Sequence, residues 1–291
     1  MNIAFLGIGK MGLPMAGHLK AAGYDVGVFD VSASQLAQAQ TAAMTPFHSV
    51  QTAVQGREVI FSSLANDEIF ESVALQIAEF AQPGTIYVDT STVSIAASAR
   101  VAHIMQKAAL RYLRVTVSGN NKMAEAAQLT AMASGERACF EAVLPLLKCL
   151  GPTQFYLGAA EQARLMKLVV NLMIAVNVGM LGEALALGQK GGLDWKDMWS
   201  VLATSAVGSP ILKAKSEQLR HHDYTPTFTV NQMLKDVGLI LDAAAQLHVP
   251  LSLTSQVNQM LHATVAMGAE SLDYSAIIQS IQAAAGVPTQ P

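Results

Sequence analysis

Three groups of residues in this 291-residue chain have types and spacings that chemistry can use. The first is Gly7-Ile8-Gly9-Lys10-Met11-Gly12, a GxGxxG pattern. Its first glycine permits a tight turn, its second lets backbone approach an anion, and its third allows close packing of helix on strand. The pattern alone is weak. Here it follows a β-run, residues 2–6, and opens a helix, residues 11–22, whose first N–H groups would face a pyrophosphate. The bland alternative is a glycine-rich turn without a ligand. The second group is Asp30, 18 positions past Gly12 at the end of the β-run 25–29. An acid about 20 residues on binds the adenosine ribose hydroxyls in such sites and repels a 2′-phosphate. Val31, Ser32, Ala33 and Ser34 offer no Arg or Lys to such a phosphate, which favours NAD over NADP. A turn or helix-capping role is the alternative for Asp30.

The third group is Lys167 with Asn171 four positions later, one turn on and on the same face of an apolar helix. Hydride transfer to a carbonyl leaves an alkoxide that needs a proton, and the reverse needs a base. One amine at that oxygen serves both directions. Burial would draw a lysine pKa down toward working pH. By the residues alone, a lysine snorkelling at an interface is the stronger reading.

Positioning these groups requires strands that end in loops. Residues 58–63 and 86–88 read as further β-runs, followed by Leu64-Ala65-Asn66-Asp67 and Asp89-Thr90-Ser91-Thr92. Loops at the carboxyl ends of parallel strands line the ligand crevice, so Leu64, Ala65, Asn66 and Thr92 are candidates to touch the ribose or nicotinamide. Helix N-capping competes for Asn66 and Thr92. Helical patterns at 35–43, 69–80, 95–109 and 136–150 alternate with these runs and with extended segments at 112–117 and 129–134. That alternation implies βαβ units and a parallel sheet. Beyond Gly158 the pattern turns helical: one stretch over 161–188, then 195–203, 233–247, 253–267 and 274–285. The expected domains are therefore 1–160 and an all-α 161–291, joined by the long helix.

Composition narrows the partners. With 52% hydrophobic and 13% charged residues the chain folds, and surface this apolar points to an oligomer, a homodimer or homotetramer. A net charge of −3 gives no nucleic-acid footprint. Cys139 and Cys149 have no metal spacing and read as reduced thiols in a cytoplasmic protein; no metal site is expected. The N-terminus lacks a basic segment followed by a long apolar stretch, so a signal peptide is not expected. The most apolar run, residues 168–181, is broken by Asn171 and Asn177 and falls short of the ~20 residues of a membrane span.

Several blocks carry a family resemblance. They are residues 5–16 around the glycines, Asp89-Thr90-Ser91-Thr92, Val117-Ser118-Gly119, Lys167 to Asn171, residues 183–187 with Gly192-Leu193-Asp194, and Phe228 with Leu234-Lys235-Asp236. In this order, over nearly the whole chain, they resemble the β-hydroxyacid dehydrogenases. The resemblance implies an α/β Rossmann domain followed by an all-α C-terminal domain. It implies an NAD-dependent oxidoreductase acting on a small, anionic 3-hydroxy acid or its semialdehyde or keto form. It makes Lys167 the catalytic lysine, Asn171 its support, Ser118 and Gly119 a carboxylate-binding turn, and Lys235 a lysine near cofactor and substrate. Asn120 is also expected by the substrate, His18, where the family often has asparagine, near the cofactor, and Gly208-Ser209 at the pocket edge. For Lys235 the alternative is a solvated pair with Asp236.

The substrate block departs from the family pattern. Arg114 replaces an acid, Thr116 a proline, Asn120 a second glycine, and Met123 and Ala127 two more glycines. Lost glycines imply a reshaped loop, and Asn121 and Lys122 add polar and positive groups. Val170 stands where an asparagine usually precedes Asn171. Two other functions fit the scaffold: an imine reductase, against which Lys167 argues, and a non-catalytic nucleotide-binding protein, against which Lys167 and Asn171 together argue.

Overall fold

The computed structural model describes residues 1–287. The chain divides into two compact units, Met1–Lys167 and Leu168–Pro291. The expected boundary at residue 160 lies just before the long helix Gln162–Lys190 begins, whereas the division between the units falls within that helix, after Lys167.

The first unit starts β1 (Asn2–Leu6), α1 (Gly12–Ala21), β2 (Asp25–Phe29), α2 (Ala33–Thr41), β3 (Thr45–Pro46) and α3 (Val50–Val54). It continues β4 (Val59–Ser62), α4 (Asp67–Phe80), β5 (Ile86–Asp89), α5 (Ile95–Lys107) and β6 (Arg111–Ser118). It closes with α6 (Asn121–Glu125), β7 (Thr130–Gly135), α7 (Arg137–Leu150) and β8 (Thr153–Tyr156), and takes in the start of α8 (Gln162–Lys190). The eight strands form one sheet in the order β3-β2-β1-β4-β5-β6-β7-β8. The first six follow the doubly wound order of a Rossmann domain, all parallel.

The sheet is parallel as expected except at β7, which is antiparallel to β6. A parallel return needs a crossover of about a dozen residues or more, usually a helix crossing the sheet. Residues 119–129 hold only the five-residue α6, so the chain turns back. The full helix α7 then restores a crossover, and β8 lies parallel to β7. Two strands and three helices escape the periodicity. β3 has two residues, β8 is a half-exposed edge, α3 and α6 have five residues each, and α10 is sparsely apolar.

Alternation along β1 builds the core. Ile3 and Phe5 join Val26, Val28 and Leu19 in one layer, while Ala4 and Leu6 join Ile60, Phe70 and Tyr87 in the other. Both faces of the sheet are covered, as a parallel sheet requires.

The second unit holds most of α8, then α9 (Trp195–Thr204), α10 (Pro210–Leu219), α11 (Val230–Gln246), α12 (Ser252–Ala266), a 3₁₀ turn at Tyr274–Ala276 and α13 (Ile277–Ala284). Glycines on α8 let its neighbours approach. A Cβ on Gly179 would lie 2.8 Å from Val257, one on Gly182 2.5 Å from Ile281, and one on Gly188 2.3 Å from Met198. By length and composition α8 is apolar enough to cross a membrane, with a mean hydropathy of 1.8 over its best 18 residues. The sequence expectation ended the apolar run at Leu181; the helix continues to Lys190, so length does not exclude a span. Its glycine contacts and the burial of Asn171 make it the central helix of this unit. Asp273, fully buried, accepts from Lys215 Nζ (2.6 Å), Thr227 and Ser275, tying the 3₁₀ turn to α10.

Candidate active site

The glycine turn has the geometry that an anion site requires. Gly7 sits at φ +82°, and a Cβ there would lie 2.4 Å from the Ser63 carbonyl. A Cβ on Gly12 would lie 2.0 Å from the Gly7 carbonyl. Both glycines are demanded by the protein itself. Gly9 is not: its Cβ would meet nothing within 4 Å, and its φ is not positive. Its lack of a side chain leaves a cradle open above the turn. The α1 N-terminus has no side-chain cap and no acid in its first turn, whereas α4 and α5 are capped by Asn66 and Ser94. An uncapped N-terminus behind an open glycine fits a pyrophosphate. Lys10 is exposed, Met11 half-buried, and Ile8 buried in the core.

Asp30 is tied to this turn. Its Oδ2 accepts the Ile8 N–H at 2.8 Å and its Oδ1 the Ser32 N–H at 2.8 Å. The carboxylate is thereby fixed beside the glycines at the end of β2, where a ribose would lie, and the residues fit a dinucleotide.

The β4 and β5 loops are laced together. Leu64 N–H donates to Ser91 Oγ at 2.8 Å, and the Thr90 N–H and hydroxyl donate to the Ser62 carbonyl. Asn66 Oδ1 accepts the Ile69 N–H at 2.9 Å, so this oxygen serves as the α4 cap. Thr92 is half-buried and is not the α5 cap, a role that Ser94 fills. Ala65 is exposed beside them.

In the substrate block, Ser118 ends β6 and Gly119 follows at φ +139°, where a Cβ would lie 2.6 Å from Leu129. Asn120 was expected to touch substrate; its Oδ1 caps α6 by accepting the Met123 N–H at 3.0 Å. Lys122 is exposed. Ala127, where the family pattern has glycine, keeps φ +52°. His18 Nε2 pairs with the Ala124 carbonyl at 2.9 Å, joining α1 to α6.

Lys167 is half-buried, with Asn171 one turn further along α8. Within the second unit Asn171 is buried and its Nδ2 donates to Asp236 Oδ2 at 2.6 Å. Lys235 Nζ lies 3.0 Å from Asp236 Oδ1, an ion pair without hydrogen-bond alignment. The solvated-pair reading of Lys235 and Asp236 therefore fails for Asp236, which is 1% exposed and links Lys235 to Asn171. Ser209 caps α10, its Oγ accepting the Leu212 N–H.

Sequence reasoning missed a buried polar network at the start of α8. Arg164 ion-pairs with Asp89, both buried, and donates to the Ser91 carbonyl (2.6 Å) and the Tyr112 hydroxyl (2.9 Å). Ser62 and Ser91 donate to Asp89 Oδ1. Burial pushes the Tyr87 and Tyr112 phenols up, which keeps both protonated. Burial opposes the Arg164 charge, but Tyr112 and Asp89 hold its pKa above the ordinary value. The available signal was a lone guanidinium three residues before Lys167 in an apolar helix.

Known proteins match this architecture throughout. Residues 2–158 match the NAD binding domain of 6-phosphogluconate dehydrogenase, and residues 162–281 the NAD-binding domain of NADP-dependent 3-hydroxyisobutyrate dehydrogenase. The 2-(hydroxymethyl)glutarate dehydrogenase of Eubacterium barkeri is 32% identical over 99% of this chain and 97% of its own. The glyoxylate/succinic semialdehyde reductase 2 of Arabidopsis thaliana, chloroplastic, is 30% identical over 98% of this chain and 80% of its own. The solved 3-hydroxyisobutyrate dehydrogenase of Mycobacterium tuberculosis, with L-serine, superposes with a TM-score of 0.88 at 27% identity, covering 97% of this chain and 99% of that one. Fold and site together define a nicotinamide-dependent oxidoreductase. The chain belongs to the β-hydroxyacid dehydrogenase family.

Proposed function

We propose that the protein interconverts a small, anionic 3-hydroxy acid with its semialdehyde or keto form, using NAD(H), with Lys167 as general acid and base. The observation that carries this reading is that Lys167 and Asn171 stand one turn apart on α8, in a chain whose first unit has the latched glycine turn. NAD(H), when bound, supplies or accepts the hydride. Gly7 through Gly12 and Asp30 would hold its pyrophosphate and ribose, and the loops at Leu64–Asn66 and Thr92 would border its nicotinamide. Lys167 gives its proton to the carbonyl oxygen as that carbon is reduced, and takes it back from the hydroxyl in the oxidation. Asn171, oriented by Asp236, offers a neutral hydrogen bond beside the amine and adds no charge. Ser118 and the Gly119 backbone receive the substrate carboxylate. Lys122 adds an exposed positive group in the same block, which suits a second anionic end such as that of 2-(hydroxymethyl)glutarate.

Val169, Met173, Met180 and Leu187 on α8 are 48, 63, 56 and 76% exposed, at spacings that share one face. This stripe supports a homodimer or homotetramer in which a second copy of the chain covers it. The free thiols Cys139 and Cys149 suit a cytoplasmic protein.

The test is a screen of NADH oxidation with succinic semialdehyde, glyoxylate and a cyclic imine, and of NAD+ reduction with 3-hydroxyisobutyrate, 2-(hydroxymethyl)glutarate and L-serine. Turnover of a hydroxy acid or semialdehyde that falls at least ~100-fold in Lys167→Ala, with NADH affinity retained, supports the reading. Activity confined to the imine, or unchanged in Lys167→Ala, refutes it.

A further inference from the structure

Residues 161–164 are tied to three adjacent strands. Glu161 ion-pairs with Arg114 of β6. The Ala163 N–H donates to Ser134 Oγ of β7 at 3.0 Å, and its carbonyl accepts Thr116 Oγ1 of β6 at 3.0 Å. Arg164 reaches Asp89 at the end of β5. A helix N-terminus needs only one side-chain cap to start; this one is gripped from below by a polar socket. Ser91 belongs to both sides of it: its carbonyl accepts from Arg164 Nη1, and its Oγ accepts the Leu64 N–H. Arg114 and Thr116, two of the departures from the family pattern, spend their polar groups here. Lys167 follows Arg164 by three residues, about 4.5 Å along the helix and about 60° around it. Any slide or rotation of this turn moves the amine with it.

We propose that Arg164 is a positioning residue for proton transfer. Its fork onto Asp89, Ser91 and Tyr112 sets the height and phase of Lys167 against the loops at Leu64–Asn66 and Thr92, so that the amine travels with the dinucleotide-binding unit. This rests on the assignment of Lys167 above. The neutral pairing of two buried cations with the buried Asp89 and the half-buried Glu161 lets the socket grip the helix without adding net charge beside the amine.

The test is Arg164→Lys, which keeps the charge and loses the fork. Its kcat with the best substrate from the screen should fall at least ~10-fold, because a displacement of about 1 Å is enough for such a loss. The KM and Kd for NADH should stay within about twofold. Hydrogen exchange of the protein alone, read on peptides spanning residues 160–170, should show faster exchange than in wild type. Wild-type kcat with unchanged exchange overturns the proposal. So does a fall in kcat matched by an equal loss of NADH binding, which marks a loosened nucleotide domain. Should Arg164→Lys not fold, Arg164→Gln/Asp89→Asn removes both buried charges together and is read the same way. Lys167→Ala keeps the two ideas apart: full activity there defeats the lysine assignment, while the exchange measurement still decides the socket.

Discussion

Replacing Gly9 by alanine separates what the ligand demands from what the fold demands. In the protein itself the new methyl meets nothing within 4 Å, and the backbone is not left-handed. Gly9→Ala should therefore fold at least as well as wild type, gaining about 0.4–1 kcal/mol from a stiffer unfolded chain. Gly12→Ala is the contrasting control, since its Cβ would lie 2.0 Å from the Gly7 carbonyl and 3.1 Å from Phe5. Overpacking of that kind costs about 1–3 kcal/mol or more and acts on the fold. For NADH, the Gly9 methyl occupies the path by which the pyrophosphate reaches the uncapped α1 N-terminus. Losing one or two hydrogen bonds to a charged group costs about 1.5–3 kcal/mol each. The Kd should rise by about 10-fold for one bond at the low end to about 10⁴-fold for two at the high end. Calorimetric titration with NADH, beside a thermal melt of the free protein, reads both effects. Gly9→Ala that melts like wild type and binds NADH equally well would refute the placement of the pyrophosphate.

Asp30→Ala removes the acceptor of the Ile8 and Ser32 N–H groups and should weaken NADH about 10- to 100-fold while raising relative tolerance of NADPH. A wild type that prefers NADPH contradicts the cofactor assignment. Burial pushes the Cys139 thiol up to about 11, above its ordinary 9.0, so the folded state favours the neutral thiol. The stability it contributes is complete below pH ~9 and lost as pH rises toward ~11. At pH 8 iodoacetamide should modify the partly exposed Cys149 first, and equal rates by intact mass would count against this picture. Ala127→Gly relieves φ +52°; a relief of about 1–2 kcal/mol, less about 0.4–1 kcal/mol of extra unfolded-state entropy, should raise Tm by roughly 1–4 °C in calorimetry. An unchanged or lower Tm means that the turn is unstrained.

What could be read from the sequence was local. The glycine turn, Asp30 and the strand before each are encoded within some 30 residues, where periodicity and turn chemistry act directly. The reversal of β7 was missed because it depends on what a short connection cannot do, and no residue in 119–129 announces it. The alternative reading of Asp236, a solvated partner of Lys235, follows from their adjacency; Asp236 also accepts from Asn171, 65 residues away, which adjacency does not announce. Arg164 and Asp89 lie 75 apart, and a lone charge in an apolar stretch gives no hint of which strand will answer it.

The substrate block shows how the two kinds of information must be combined. Its departures from the family pattern, which fall within a single run of sequence, suggest one reshaped loop. In the fold that run serves different masters. Alternation along β6 sends Arg114 and Thr116 to the start of α8, Asn120 turns inward to cap α6, and Ala127 keeps a glycine's backbone. Ser118 and Gly119 still form the end of the strand, and Lys122 is exposed. Of the altered residues, Arg114 and Thr116 thus bear on how the helix that carries Lys167 is held. On the proposed assignment of Ser118 and Gly119 to the substrate carboxylate, substrate choice would fall to the few exposed groups of the block, where one added positive charge would favour acids over neutral carbonyl compounds.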